Sequence, residues 1–155
     1  MLHSITKINK PLNKITFENI DAFYTICVFI GNDRYKIRFD SVHDCCEEFG
    51  FKSYLGGYYE VEKGKTSFDV MDYTSEIHKT ITDIDIFMKK SYIAELVKKT
   101  ISMEFYSEDI PIFTLEFYNQ HNGYYSHSLF VELSENYNEN AVHVEEPMKI
   151  FVTSI

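Results

Sequence analysis

Residues 23–40 read FYTICVFIGNDRYKIRFD. Apolar side chains alternate along both halves of this stretch, which is typical of a β-hairpin. We predict strands over 23–30 and 35–40, joined by a turn over 31–34. In this register Ile30 faces Tyr35, Val28 faces Ile37 and Ile26 faces Phe39. These six side chains share one apolar face, because side chains alternate along a strand. The opposite face carries Cys27, Phe29, Lys36 and Arg38.

Two short helices are predicted on either side of the chain's middle. Ser41 is a typical helix N-cap, Gly50 is a typical C-terminal stop, and apolar residues lie between them at helical spacing. This pattern favours a helix over 41–50, with a continued edge strand as the alternative. Ser91 can cap a second helix that ends near residue 99, where two lysines would interact favourably with the helix dipole.

A second hairpin is predicted over residues 112–133. Its turn would be Asn122-Gly123, which is a strong signal for a two-residue turn with positive φ at both positions. The resulting register places Leu115 opposite Phe130. Further strands over 142–145 and 148–153 would close the domain.

The fold class that follows is a single α+β domain over residues 1–155. Its main component is an antiparallel β-sheet, accompanied by one to three short helices. An apolar content of 45% is sufficient for a packed core.

The negative charge is concentrated in the C-terminal third. The net charge is −9, and residues 100–148 contain nine acidic residues and no Lys or Arg. Such a surface attracts a basic partner and repels a phosphate backbone, so we expect no direct contact with nucleic acid. Solubility alone is the simpler interpretation.

Cysteine usage and hydropathy indicate a cytoplasmic location. Three cysteines, two of them adjacent, make a disulfide framework improbable. No signal peptide and no run of roughly 20 apolar residues is found, so we expect no contact with a membrane.

One block of chemically capable residues consists of His43, Asp44, Cys45, Cys46 and Glu47. Adjacent cysteines point in different directions and cannot easily share a metal ion, so we predict neither a metal nor a cofactor. The simplest interpretation is that both thiols are small buried hydrophobes. Two alternatives remain open. The block could line a ligand pocket together with Arg34 and Arg38, or a thiolate could act as a nucleophile beside a histidine.

A second block reads HNGYYSH over residues 121–127. In the structural interpretation, Asn122-Gly123 turns the chain and the two tyrosines pack on opposite faces. In the functional interpretation, the block contacts a partner, because Tyr, Asn, Ser and His combine rigid contact area with adaptable hydrogen bonding. The residues predicted to contact a partner are His121, Asn122, Tyr124, Tyr125, Ser126, His127, Glu132 and Glu135.

The two blocks together resemble an uncharacterised family of small bacteriophage and prophage proteins. Its members carry a His shortly before Asp-Cys-Cys-Glu, matched here by residues 43–47, and Asn-Gly-Tyr-Tyr-Ser in a β-context, matched by 122–126. In this chain His43 directly precedes Asp44, whereas the family has a spacer. The resemblance implies a viral or mobile-element setting but no catalytic role. Small acidic phage proteins often inhibit host defence, which is an analogy only.

Three functional hypotheses follow. The leading one is a non-enzymatic counter-defence inhibitor in the host cytoplasm. It would use its acidic C-terminal third to neutralise a host protein with a basic nucleic-acid-binding surface. The second is a protein that sequesters a nucleotide signal, as a homo-oligomer with pockets between subunits. The third is an enzyme that depends on Cys45 or Cys46.

Overall fold

The computed structural model describes residues 1–40, 48–55, 59–63, 76–93, 96–121, 126–138, 140 and 147–155. These residues contain twelve β-strands and no helix, so the predicted α+β class is wrong and the fold is all-β. The strands are β1 (His3–Ile5), β2 (Lys10–Ile20), β3 (Phe23–Ile30), β4 (Asp33–Asp40), β5 (Glu48–Leu55), β6 (Tyr59–Lys63), β7 (Thr80–Ile81), β8 (Asp83–Ile93), β9 (Leu96–Ser107), β10 (Ile110–His121), β11 (Ser128–Ser134) and β12 (Met148–Ser154). The described ranges contain no helix that is long and apolar enough to cross a bilayer.

The strands form two six-stranded antiparallel sheets. Sheet 1 has the order β1-β8-β9-β10-β5-β6, and sheet 2 has the order β12-β11-β4-β3-β2-β7. The core lies between their inner faces, where five of the described phenylalanines are fully buried. These are Phe39, Phe51, Phe105, Phe113 and Phe117. Phe39 of sheet 2 lies 5.3 Å from Phe117 of sheet 1 between ring centroids, so aromatic contacts join the two sheets directly.

The N-terminal segment connects the two sheets along one side. β1 pairs with β8 in sheet 1, and β2 pairs with β7 in sheet 2. Between these pairings the Ile8 amide donates to the Thr82 carbonyl oxygen at 3.0 Å. Lys7 and Asn9 have positive φ angles of 58° and 51° at the bend. Two neighbouring segments, β1 to β2 and β7 to β8, therefore pass from one sheet to the other on this side of the molecule.

The first hairpin has the predicted faces but a different register. Ile26, Val28 and Ile30 are fully buried, as are Ile37 and Phe39 on β4. However, Val28 pairs with Tyr35 and Ile26 with Ile37, two residues away from the predicted register. The turn contains two residues, Gly31 and Asn32, instead of four. Because the shift is an even number of residues, every side chain keeps its face.

The predicted second hairpin is wrong, because its strands belong to different sheets. β10 pairs with β9 and β5 in sheet 1, whereas β11 pairs with β4 and β12 in sheet 2. Each strand is satisfied on both edges by these partners, so β10 and β11 do not pair with each other. Leu115 pairs with Met103 and Ser53, and Phe130 pairs with Arg38 on the outer face of sheet 2. Asn122 and Gly123 lie outside the described residues.

Strands also replace the two predicted helices wherever these are described. Residues 41–47 lie outside the described ranges, but Phe49 and Gly50 belong to β5. β8 continues to Ile93 and pairs with β9 from Asp83 to Ile93. This long antiparallel ladder satisfies the backbone of the described part of the predicted segment, residues 91–93 and 96–99, which outweighs the local capping signal at Ser91. The predicted closing strand over 148–153 is confirmed as β12.

The two ends of sheet 1 carry different charged side chains. We call them the β8–β9 end and the β9–β10 end, after the strands that are connected there. The β8–β9 end contains the last residues of β8 and β10 and the first residues of β9 and β5. The β9–β10 end contains the first residues of β8 and β10 and the last residues of β9. Lysines collect at the first end and carboxylates at the second.

Candidate ligand-binding face

The solvent side of sheet 2 combines cationic and aromatic side chains. It faces outward because the alternate residues of β3 and β4 are buried in the core. We call this surface the basic face. Its cations are Lys14, Arg34, Lys36, Arg38 and Lys149, and its rings are Phe23, Phe29, Phe130 and Tyr137. These residues come from five consecutive strands and the segment that follows β11.

Arg38 contacts one carboxylate and two aromatic rings. Its Nη2 donates to Glu132 Oε1 at 2.5 Å. Its guanidinium carbon lies 5.4 Å from the ring centroid of Phe23 and 5.2 Å from that of Phe130. Glu132 is only 5% exposed, so its charge depends on this arginine for compensation. The buried Nε of Arg38 has no hydrogen-bond partner among the described residues.

Arg34 occupies a second aromatic cluster near the β3–β4 turn. Its guanidinium carbon lies 3.9 Å from the ring centroid of Tyr137, a short cation–π distance. The Tyr137 amide donates to the Asn32 carbonyl oxygen at 2.7 Å, which holds the tyrosine against the turn. The Phe29 ring lies 5.9 Å from Tyr137 and 5.5 Å from Lys14 Nζ. Cations and rings therefore alternate across this part of the face.

Cys27 lies in the middle of the basic face. Burial raises the pKa of its thiol, while the nearby charges of Arg34 and Lys36 and a hydrogen bond with Thr16 act in the opposite direction. Burial is the largest effect, so the thiol is mainly protonated at neutral pH. A protonated thiol is a poor nucleophile. The enzyme hypothesis concerns Cys45 and Cys46, which lie outside the described residues.

The structure combines residues from two predicted sites. Arg34 and Arg38 belonged to the predicted ligand pocket and Glu132 to the predicted partner surface, yet all three lie on the outer side of sheet 2. Ser126 and Glu135 are exposed. His127 is buried, with 2% of its surface exposed, and is therefore not accessible to a partner.

Most of the remaining predicted residues lie outside the described ranges. These are His43, Asp44, Cys45, Cys46, Asn122, Tyr124 and Tyr125. His121 is the last residue of β10, and its backbone pairs with Val97.

Described residues beside the first sequence block and in the second block contact each other. His127 Nδ1 donates to the Asp40 carbonyl oxygen at 3.0 Å, and the His127 ring stacks on Phe49 at 3.9 Å between centroids. Asp40 precedes the first block and Phe49 follows it, whereas His127 follows the glycine and tyrosines of the second. Gln120 of β10 also pairs with Glu48 of β5. The residues that flank the first block therefore meet His127, the last residue of the second block, at the β8–β9 end.

Among the acids of the C-terminal third that the structure describes, Glu132 lies apart from Glu108 and Asp109. Glu132 is paired with Arg38 on sheet 2. Glu108 and Asp109 lie at the β9–β10 end of sheet 1, where they line a cleft of about 350 Å³. The other lining residues are Met1, Ser4, Thr6, Asp83, Asp85 and Tyr106. Two of the acids in this cleft come from outside the C-terminal third, so the tertiary structure regroups the charge.

No described set of three or more His, Cys, Asp or Glu side chains is arranged to hold a metal ion. Sequence reasoning placed Cys27, Phe29, Lys36 and Arg38 on one face but did not recognise that face as a site. The contribution of Phe130, Tyr137 and Lys149 depends on β11 pairing with β4, a pairing that joins residues about a hundred positions apart in the chain. The alternation in 23–40 was the only signal that the sequence offered.

Comparison with known proteins assigns the family but no activity. Residues 4–131 match the family model DUF7448, a domain of unknown function. The match covers most of the chain, so the protein belongs to the DUF7448 family. This agrees with the expected uncharacterised family, while the bacteriophage origin stays a prediction. No curated protein and no solved structure shows significant similarity to the chain.

Proposed function

We propose that this chain is a non-enzymatic binding protein whose basic face binds single-stranded nucleic acid. The observation that carries the proposal is the placement of Arg34 and Arg38 against aromatic rings on the solvent side of sheet 2. Arginine and lysine bind phosphates, while aromatic rings and guanidinium planes stack on bases. A sheet surface that alternates the two suits a chain of alternating phosphates and bases.

The dimensions of the basic face favour an extended ligand over a mononucleotide. The face reaches from β2 to β12, which are separated by β3, β4 and β11. With neighbouring strands about 4.8 Å apart, this distance is roughly 19 Å. Along β4, the four-residue step from Arg34 to Arg38 adds a second dimension of roughly 13 Å. A single nucleotide would contact only part of this surface.

The proposal departs from the expectation that the chain avoids nucleic acid. That expectation used the order of charges along the sequence, in which residues 100–148 contain no Lys or Arg. In space, Glu132 of this segment is already paired with Arg38, while Glu108 and Asp109 lie at the β9–β10 end of sheet 1. In the sequence, the cations of the basic face precede the acidic segment, except for Lys149, which follows it.

The bacteriophage setting and a role against host defence remain part of the proposal. They rest on the sequence resemblance alone. A protein that sequesters single-stranded nucleic acid could act in such a setting without catalysing a reaction. Arg34 and Arg38 were also proposed to bind a nucleotide in the hypothesis of a nucleotide-sequestering protein. The binding experiment below distinguishes a nucleotide from an oligonucleotide as the ligand.

A second candidate keeps the hypothesis of an inhibitor that binds a basic host protein. It is favoured by the acidic cleft, to which Asp83, Asp85, Glu108 and Asp109 contribute. A cationic peptide would be attracted there, with an affinity that falls as salt rises. Binding of a lysine-rich peptide that survives substitution of these acids by their amides would exclude this candidate.

Fluorescence anisotropy with a labelled oligothymidylate tests the main proposal. We expect Arg34→Gln and Lys36→Gln to weaken binding and to reduce the slope of log affinity against log salt by about 0.7 for each phosphate that the variant can no longer bind. Lys7→Gln, which removes the same charge at the exposed β1–β2 bend, should leave binding unchanged. Absence of binding by the wild type at low salt would overturn the proposal. Equal affinity for thymidine monophosphate and the oligomer would favour the nucleotide hypothesis instead.

A further inference from the structure

We propose that the lysines at the β8–β9 end of sheet 1 extend the nucleic-acid path beyond the basic face. The ligand would then be a strand long enough to contact both sheets around one end of the sandwich. This inference rests on the proposed function and adds the length and the route of the ligand. The residues that carry it are Lys89, Lys90, Lys98 and Lys99, called here the lysine cluster.

The lysine cluster concentrates positive charge on two paired strands. Lys90 pairs directly with Lys99, and Lys98 pairs with Ser91 one position further along the ladder. Like charges directly opposite each other in a sheet are destabilising. Among the described residues, no member of the cluster forms an ion pair with an acidic side chain. Such an arrangement would be relieved by a bound polyanion.

Edge protection explains only part of the cluster. β1 covers β8 only at positions 84–86, so the edge of β8 beyond Ile86 has no described strand partner. Lysines on an edge strand discourage pairing with another molecule. This reason applies to Lys89 and Lys90, which lie on β8. It does not apply to Lys98 and Lys99, because β9 is flanked by β8 and β10.

Aromatic rings accompany these lysines as they do on the basic face. Tyr92 is 68% exposed, and Lys90 Nζ lies 5.4 Å from its ring centroid. The Tyr118 ring has Lys98 Nζ at 5.5 Å and Lys52 Nζ at 5.8 Å. The exposed ring of Tyr92 offers a stacking surface for a base, and the lysines offer contacts to phosphates.

A continuous series of contacts links the lysine cluster to the basic face. Asn119 pairs with Lys99 and donates through Nδ2 to the Ile155 carbonyl oxygen at 2.9 Å. The Ile155 amide donates to the His127 carbonyl oxygen at 2.9 Å. His127 in turn donates to the Asp40 carbonyl oxygen, two residues after Arg38. The lysine cluster and the Arg38 part of the basic face therefore lie at the same end of the molecule.

The distribution of acids supports the same route. The acidic cleft with Asp83 and Asp85 lies at the opposite end of β8 from Lys89 and Lys90. A polyanion is repelled from the β9–β10 end and attracted to the β8–β9 end. The charge pattern of sheet 1 therefore favours a path in which the nucleic acid leaves the basic face towards the β8–β9 end.

Anisotropy with two oligothymidylates tests the inference. One is short enough to span only the basic face, roughly 19 Å, and the other is several times longer. We expect Lys98→Gln/Lys99→Gln to weaken binding of the long oligomer several-fold and to lower its salt slope by about 0.7 for each phosphate that is no longer bound. Binding of the short oligomer should not change. Lys89→Gln/Lys90→Gln should act in the same way, and Lys7→Gln is the control.

The possible results separate this inference from the proposed function. If the lysine variants bind the long oligomer like the wild type while Arg34→Gln weakens both oligomers, the extended path is overturned and the basic face stands. If Arg34→Gln changes neither oligomer, the proposed function fails. If Lys89→Gln/Lys90→Gln only makes the protein self-associate in size-exclusion chromatography and Lys98→Gln/Lys99→Gln has no effect, the lysines protect an edge and the inference is overturned.

Discussion

Arg38 and Glu132 form a 2.5 Å ion pair that joins β4 to β11 on the basic face. Arg38 Nη2 is the donor, and the guanidinium carbon lies 5.4 Å from the ring centroid of Phe23 and 5.2 Å from that of Phe130, two rings that contact each other edge to face. The pair has two consequences. It removes one acid from the supposed anionic C-terminal surface, and it holds an arginine in a defined orientation beside two rings.

Breaking this pair should destabilise the protein more than removing both partners. Arg38→Gln leaves the Glu132 carboxylate buried without its cation, which we expect to cost about 1–3 kcal/mol in the free energy of unfolding. Arg38→Gln/Glu132→Gln should recover a large part of this loss, because no buried charge remains. Urea denaturation of the wild type, both single variants and the double variant gives the coupling energy. Strict additivity of the two single effects would contradict the assigned pair.

High pH should destabilise the fold through Tyr35. Burial, followed by the nearby Asp33 and Glu135 carboxylates, raises the pKa of Tyr35 to about 12 from 10.0. Because the pKa is raised in the folded state, the stabilising contribution is complete below pH 10 and is lost as the pH rises towards 12. The difference corresponds to about 2–3 kcal/mol. Urea denaturation between neutral and alkaline pH should show a weaker dependence in Tyr35→Phe, whereas Tyr92→Phe, at an exposed position, should behave like the wild type.

Gly31 should be difficult to replace at the β3–β4 turn. Its φ is +59°, and a Cβ at this position would lie 2.8 Å from Lys10 Cδ. We expect Gly31→Ala to reduce stability by about 1–2 kcal/mol, since a left-handed conformation is costly for residues with a Cβ. Asn32→Ala, which leaves the backbone acceptor for Tyr137 in place, serves as the control. Equal thermal stability of Gly31→Ala and the wild type would show that the turn is formed differently.

Phe39 should be among the most sensitive core positions. It is fully buried, and its ring lies 5.3 Å from Phe117 and 5.8 Å from His127 between centroids. Phe39→Ala removes the ring contacts of Phe39 with Phe117 and Phe49 of sheet 1 and should cost about 3–5 kcal/mol. Val152→Ala, at a position that is 53% exposed, should change stability by less than about 0.5 kcal/mol. A small effect of Phe39→Ala in urea denaturation would argue against this packing of the two sheets.

Cys27 provides a footprint of ligand binding. The elevated pKa of its thiol predicts slow alkylation at neutral pH that accelerates under alkaline conditions. In a Cys45→Ser/Cys46→Ser background, an oligothymidylate on the basic face should slow this reaction further, because it covers the centre of sheet 2. Mass spectrometry after timed iodoacetamide treatment measures the rate. Alkylation at the same rate with and without a bound oligonucleotide would place the ligand elsewhere.

The alternation in residues 23–40 was sufficient to predict both strands, their buried faces and the outward position of Arg38. It did not determine the register, because shifts of two residues keep the same faces. The Gly31-Asn32 pair is itself a signal for a two-residue turn, since glycine tolerates the positive φ that such a turn needs. A two-residue turn at Gly31-Asn32 places Ile30 opposite Asp33, which is the observed register. The prediction used a four-residue turn instead.

Local sequence signals failed where distant strands competed. Ser91 and the two lysines near residue 99 suit a helix in isolation, but β8 and β9 satisfy each other's backbone in one long ladder. Asn122-Gly123 suggested a hairpin, but β10 and β11 each find partners in separate sheets. The strength of those alternative pairings cannot be read from a short window of sequence.

The sequence by itself determined the first two long strands over 23–40, their buried faces and the excess of acidic over basic side chains, but not the all-β class. These follow from composition and from side-chain alternation, which are local properties. Only the tertiary structure decided which charges are neighbours. The pairing of β11 with β4 brings Glu132 and Phe130 into contact with Arg38. The acids Glu108 and Asp109 lie elsewhere, at the β9–β10 end of sheet 1. Electrostatic and stacking interactions act through distances in space, so positions remote in sequence become one surface only when the sheets have assembled.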